Sequence, residues 1–321
     1  MTSLRRLTSA IISGKPIGPA AAMTLWSVGF YELLQAADQV RRHFKGERVN
    51  FCSIINARSG VCGEDCHYCA QSAHHSTGAA VYPLVSEATI LQHLVAAEAA
   101  GARCFGIVTS GRSLADDDVS VVCAAAARAG GRKIRVSASL GELDETALRR
   151  LKASGVRCFH HNLETAESHF SRICTTHRYG DRVATVRAAK SAGLEVCSGG
   201  ILGLGESREQ RVEFAMTLRD LAVDSVPLNI LNPVKGTPFE NLPRLSCEEI
   251  LRSIALFRLI LPDRDISVCG GREANLRDLQ SRIFHAGANG MMVGGYLTTP
   301  GRPLEQDIQM IKDLGLELNP G

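Results

Sequence analysis

No apolar run in this chain approaches the roughly 20 residues needed to cross a bilayer; the stretch from Val121 to Ala127 is among the longer ones. A membrane span is therefore not expected. Neither sign of charge is in excess, with 36 Lys and Arg against 33 Asp and Glu, and no dense basic cluster marks a nucleic-acid face. Linkers, low-complexity tracts and charge blocks are also missing, so nothing divides the 321 residues into separate units. Behind Arg5 and Arg6, the residues Thr8, Ser9, Ser13, Gly14, Lys15 and Pro16 interrupt the apolar region that a signal peptide requires. A cytoplasmic location is the expectation. Aromatic residues are scarce at 5%, yet a hydrophobic content of 45% is enough to fill a large core and excludes a disordered chain.

The chain is instead rich in cysteine and glycine, with 11 and 30 residues respectively. In a reducing compartment so many cysteines do not form a disulfide framework, which leaves metal binding or catalysis as the reason for some of them. Short β-branched or apolar runs start near Val49, Arg103, Lys133, Val156, Leu194, Ser225, Asp265 and Gly290, and amphipathic segments follow them. Helices are predicted over Glu87 to Ala100, Asp144 to Ser154, Asp181 to Ala192 and Asn275 to Ala286, ending at Gly101, Gly155, Gly193 and Gly287. Eight such βα units predict an α/β fold, a single (β/α)8 TIM-type barrel over residues 49–321. An N-terminal helical extension, residues 1–48, precedes it and supplies a capping helix from Leu25 to Arg42. The first connection, from Ile55 to Glu87, is long and without periodicity, and in such a barrel it lies at the catalytic end.

That connection contains Cys62, Cys66 and Cys69 at the spacing C-x3-C-x2-C. Three thiolates on one loop can wrap a metal cluster and leave a fourth corner open for chemistry. A zinc knuckle completed by His67, His74 or His75 is the alternative, although zinc loops favour paired C-x2-C units. A dinucleotide site is not indicated, because G-x-G-x-x-G is absent.

This cysteine loop after the first barrel strand resembles the radical S-adenosylmethionine (SAM) superfamily. The strings Glu64-Asp65-Cys66 to Gln71-Ser72, Cys197 to Glu206, Ser225 to Asn229, Lys235 to Pro238, Gly271-Arg272-Glu273 and Leu297 to Pro300 resemble the biotin synthase family, in order and over nearly the whole chain. The resemblance implies a [4Fe-4S] cluster on Cys62, Cys66 and Cys69, with SAM chelated at its open iron. It implies adenine contact from Tyr68, ribose contacts from Asn162 and Glu164, and a SAM carboxylate contact from Arg182. Glu164 stands where Asp is more usual. Gly199, Gly200 and Ile201 would lie along the methionine end of SAM. Asn229, with Asn162 sharing the ring, would hold the ureido group of dethiobiotin, and Thr298 and Thr299 its carboxylate. A homodimer and a flavodoxin or ferredoxin reductant are implied in the same way.

One departure stands out. The family's second cluster, a sulfur-donating [2Fe-2S] group on three strand cysteines and an arginine, finds only Cys197 in its place; the other positions fall on Gly106, Ser137 and Ser267. Cys52 and Cys269 appear instead on the first and seventh strands, and together with Cys197 they are expected to hold a different auxiliary iron-sulfur cluster. Small buried hydrophobes are the alternative reading of these three. Cys104, Cys123, Cys158, Cys174 and Cys247 read as structural. The function implied is radical sulfur insertion into dethiobiotin; the competing readings are another radical SAM barrel enzyme, such as a mutase or a cofactor-assembly enzyme, and a non-catalytic metal-binding or electron-carrying protein.

Overall fold

A computed structural model of the chain describes residues 3–297 and 301–319. Ten strands form: β1 (Arg48–Arg58), β2 (Cys104–Thr109), β3 (Arg135–Ser139), β4 (Cys158–His160), β5 (Glu195–Cys197), β6 (Gly200–Leu202), β7 (Ser225–Ile230), β8 (Asp265–Val268), β9 (Gly290–Met292) and β10 (Glu317–Leu318). The pairs run β1-β2-β3-β4-β5-β7-β8-β9, all parallel, and β9 returns to β1 to close the barrel. Residues of β5 and β6 both pair with β7, so the two short segments are one interrupted barrel position and the closed sheet has eight. All eight strand starts expected from the pattern of apolar runs are found.

Alternation along each strand sends every second side chain inward. The outward set, including Phe51, Phe105, Ile107, Phe159, Val196, Val226 and Ile266, is buried against the surrounding helices. Those helices start where a side chain can take an orphan N–H. Ser86 accepts from Thr89 N, Asp144 from Ala147 N, and Ser207 and Gln210 form a reciprocal capping box. Ile11, Leu25, Trp26, Leu33 and Val40 from the N-terminal helices join the same core. The helix Phe30–Lys45 packs against Cys247–Ile260 and Arg282–His285 in the outer ring.

One predicted helix is broken. In place of a continuous Asn275 to Ala286, the chain forms Arg272–Leu276, a 3-10 turn Arg277–Leu279 and Arg282–His285. The break comes at Arg277, whose φ of 49° leaves the helical region. Just before it, Arg272 is sealed in the interior by Gln280, Glu273 and Asp307. Arg272 Nη2 lies 3.1 Å from Asp307 Oδ2, with side-chain exposures of 1% and 0%, so the pair clamps the C-terminal helix Leu304–Asp313 to the end of the seventh barrel strand. Removing one partner of a buried pair leaves an uncompensated charge. Asp307→Ala is expected to lower stability by about 3–5 kcal/mol, read by urea unfolding.

Candidate active site

The first loop closes over the C-terminal end of the barrel and is held by its own polar residues. Gln71 Oε1 accepts from Ser59 Oγ and Gly60 N, Cys62 N donates to Gln71 O, and Thr77 Oγ1 donates to Ala70 O. A second anchor joins the loop to the segment after β4. Asp65 accepts from Cys174 Sγ, from the N–H and hydroxyl of Thr175, and from the N–H and hydroxyl of Thr176. Burial works against ionisation here, but these donors hold the Asp65 carboxyl well below the usual carboxylate range. Glu64 accepts from Thr176 Oγ1 at 2.6 Å and pairs with His177.

Cys62, Cys66 and Cys69 all face a cavity of about 550 Å³ at the mouth of the barrel, a size within the usual range of about 300–1,000 Å³ for small-molecule sites. Among the described residues, the metal-ligating side chains whose donor atoms lie within 4.8 Å of one another are those of Cys66, Cys174 and His177. Two histidines of the zinc alternative are engaged elsewhere. His74 Nε2 and His75 Nε2 lie 3.0 Å from the carbonyls of Gly63 and Cys66, and His67 packs edge-on against Phe239. As free thiols, Cys66 is pushed up by its contact with Cys174 and by burial, and Cys69 is raised to about 11 by burial. Metal loading must therefore displace protons.

Asn162, Glu164, Arg182, Tyr68, Ile201 and Asn229 line the same cavity. Glu164 adopts a left-handed φ of 70°, and its carboxylate meets Asn162 Nδ2 at 3.4 Å and Arg182 Nη1 at 3.9 Å. Burial raises the Glu164 carboxyl, while Arg182, Asn162 and Tyr68 act in the opposite direction. Arg182 donates to Asn162 O and to His177 Nε2, both at 2.9 Å. Asn229 already gives Nδ2 to Gly200 O and receives Gly270 N on Oδ1; a second amide hydrogen and a second lone pair are left for a ligand. Gly199 and Gly200 do not line the cavity. A Cβ at Gly199 would strike the carbonyl of Pro227, and one at Gly200 the carbonyl of Glu164, so these glycines let neighbouring backbones approach at the interrupted fifth barrel position. Thr298 and Thr299 lie outside the described residues.

Below this cavity the barrel is hollow. A second cavity of about 170 Å³ is lined by Cys52, Cys197 and Cys269, and also by Cys104 and Cys158. The last two, read from the sequence as structural, belong to the same inward face. Cys52 and Cys104 are Cα partners across β1 and β2, and Cys104 Sγ lies 3.4 Å from Ser137 Oγ. Cys52 donates to Cys104, which with Ser137 and Arg135 lowers the Cys104 thiol to about 7. Cys158 and Cys197 are similarly joined. The signal was available in the sequence: Cys104 and Cys158 have the strand parity of inward positions. Cys174 is not an idle structural thiol either, since it touches Cys66 Sγ at 3.8 Å and His177 Nδ1 at 3.2 Å. His160, half-buried and 3.0 Å from Ser139 Oγ, has its pKa lowered to about 4 by desolvation and lies between the two cavities.

Known proteins match this arrangement over its full length. A model of the Radical SAM superfamily matches residues 57–218, and one of the Biotin and Thiamin Synthesis associated domain matches 227–317. The chain is 54% identical over 313 residues to the biotin synthase of Citrifermentans bemidjiense, covering 96% of this chain and 95% of that one. It is 58% identical over 287 residues to that of Geobacter sulfurreducens, covering 88% and 87%. Among solved structures, methylornithine synthase superposes with a TM-score of 0.84 at 21% identity over 98% of this chain and 97% of the other. The hydrogenase maturase HydG from Carboxydothermus hydrogenoformans does so with 0.82 at 16% identity, over 99% and 79%; at these identities the likeness is one of fold. A closed barrel with three loop cysteines at its mouth, matched in sequence from end to end, makes this chain a member of the biotin synthase family of radical SAM enzymes.

Proposed function

We propose that this chain inserts sulfur between two carbons of dethiobiotin, with Cys62, Cys66 and Cys69 holding a [4Fe-4S] cluster and the barrel cysteines holding the sulfur source. The observation that carries the reading is the stacking of two cavities that share His160, Asn229 and Tyr296, with loop thiols above and strand thiols below. When bound, the upper cluster and SAM supply a 5′-deoxyadenosyl radical. Because such a radical attacks the nearest C–H bond, the protein's task is to hold the substrate still. Asn162 and Glu164 bind the SAM ribose, Arg182 neutralises its carboxylate, and Tyr68 packs on the adenine. Asn229 presents both a donor and an acceptor to the ureido ring, and Thr298 and Thr299 bind the far carboxylate. Each new C–S bond replaces a C–H bond, so two hydrogens leave on two 5′-deoxyadenosine molecules for every biotin.

The barrel thiols fit an auxiliary iron-sulfur group by their donor set. Cys52, Cys197 and Cys269, with Cys104 and Cys158 now beside them, offer five sulfurs around one cavity. A homodimer in the cytoplasm, reduced by flavodoxin or ferredoxin, completes the reading; these features rest on the family resemblance. The helical segment 1–48 and the barrel 49–321 are the proposed parts of the chain.

Two sets of variants separate the roles. Cys66→Ala is expected to abolish 5′-deoxyadenosine formation in an anaerobic assay with SAM, reductant and dethiobiotin. Cys269→Ala and Cys104→Ala should retain 5′-deoxyadenosine, lose biotin and bind less iron and sulfide than wild type; unchanged iron and sulfide counts would remove these cysteines from the ligand set. Deoxyadenosine without biotin in the wild type would favour a related radical SAM reaction on another small molecule. Glu164→Gln is expected to weaken SAM binding about 10- to 100-fold by calorimetry, the range for a lost hydrogen bond to a charged group of about 1.5–3 kcal/mol.

A further inference from the structure

The lower cavity reaches the N-terminal rim of the barrel, where Arg103, Arg135, Glu195, Asp224 and Asp265 line it. None of the five strand cysteines faces the upper cavity; all face the lower one. In register, Cys104 pairs with Arg135 and Cys158 with Glu195, and these partners are the first residues of β3 and β5. Two thiols therefore lie one strand position from the N-terminal mouth. Cys52, Cys104 and Cys197 are only partly buried, whereas Cys158 and Cys269 are buried.

The rim of that mouth is charged, and its acids are engaged. Glu195 pairs with Arg135, Asp265 with Lys45 at 2.8 Å, and Asp224 accepts from Val196 N at 2.8 Å. Arg103 gives Nη1 to the neutral amide oxygen of Asn50 at 3.1 Å, and its charge also acts on Asp265, whose carboxyl it helps Lys45 to hold down. Arg135 and Glu195 have side-chain exposures of 32% and 50%, so their pair sits at the solvent edge of the cavity.

We infer that the N-terminal mouth of the barrel is an entrance for inorganic sulfide, which replaces the sulfide lost from the auxiliary cluster on the strand cysteines after each biotin is made. The inference rests on the auxiliary-cluster reading. With SAM and dethiobiotin filling the upper cavity, the lower mouth is the route left to a small species. A cavity of about 170 Å³ with Arg103 and Arg135 at its rim has room for a species the size of a hydrosulfide anion. Passage moves a sulfide and a proton and changes no oxidation state.

The test uses the reconstituted enzyme with sulfide of natural isotope content. After one turnover with SAM, reductant and dethiobiotin, 34S-sulfide is added and 34S in the acid-labile sulfide of the protein is followed by mass spectrometry. Uptake is expected to continue when SAM and dethiobiotin are in excess. Ser225→Trp, which places a ring in the lower cavity, should slow 34S uptake per bound iron at least tenfold. The double variant Arg135→Ala/Glu195→Ala, which removes the pair at the rim, should speed it severalfold. Uptake that is blocked by SAM and dethiobiotin, or that neither variant alters, overturns the inference; if Ser225→Trp does not load iron, the rim variant decides alone. First-round biotin lacking sulfur from the protein would instead refute the auxiliary-cluster reading, a separate result.

Discussion

The inward faces of the barrel strands carry side chains too small to fill the space they enclose. Barrels of this architecture ordinarily stack branched residues inside. Here Cys104, Gly106, Ser137, Cys158, Ser225 and Ser267 occupy that role, while the bulky residues of the same strands point outward. The alternation of the strand makes these two sets inseparable: a shift of one residue in register would bury the thiols under helices and drive Phe51, Phe105 and Phe159 into the lumen. Everything placed in the lumen depends on that parity.

The upper site depends on a different kind of constraint. A loop with no regular structure has to present three sulfurs in a fixed triangle, and its own hydrogen bonds fix only part of it. The rest comes from Asp65 gripping the Cys174–Thr176 turn, which follows β4. Since the segment after β4 also supplies Asn162, Glu164 and His177, the sulfur-bearing loop is tied to the stretch of chain that carries the polar residues across the cavity.

Much of this was legible from the chain alone. Eight strand starts, the glycine-terminated helices and the functional first loop follow from periodicity and punctuation, because they are local. The grouping of Cys62, Cys66 and Cys69 is local too. The helix break at Arg277 was not legible, because it is driven by the burial of Arg272 against Asp307, 35 residues away. Cys104 and Cys158 were passed over although their strand parity points inward, because only the register of neighbouring parallel strands sets Cys104 beside Cys52 and Cys158 near Cys197. Gly199 and Gly200 carried a real signal, a need for close approach, but the approaching group is the protein's own backbone.

Glu164 holds a carboxylate on a backbone with a φ of 70°. Glycine tolerates that conformation and a residue carrying a Cβ does not readily, so folding and chemistry ask for different residues at this one position. It is therefore a place where selection for a more robust fold and selection for activity diverge, and where a stabilised descendant of this protein would tend to lose its purpose first.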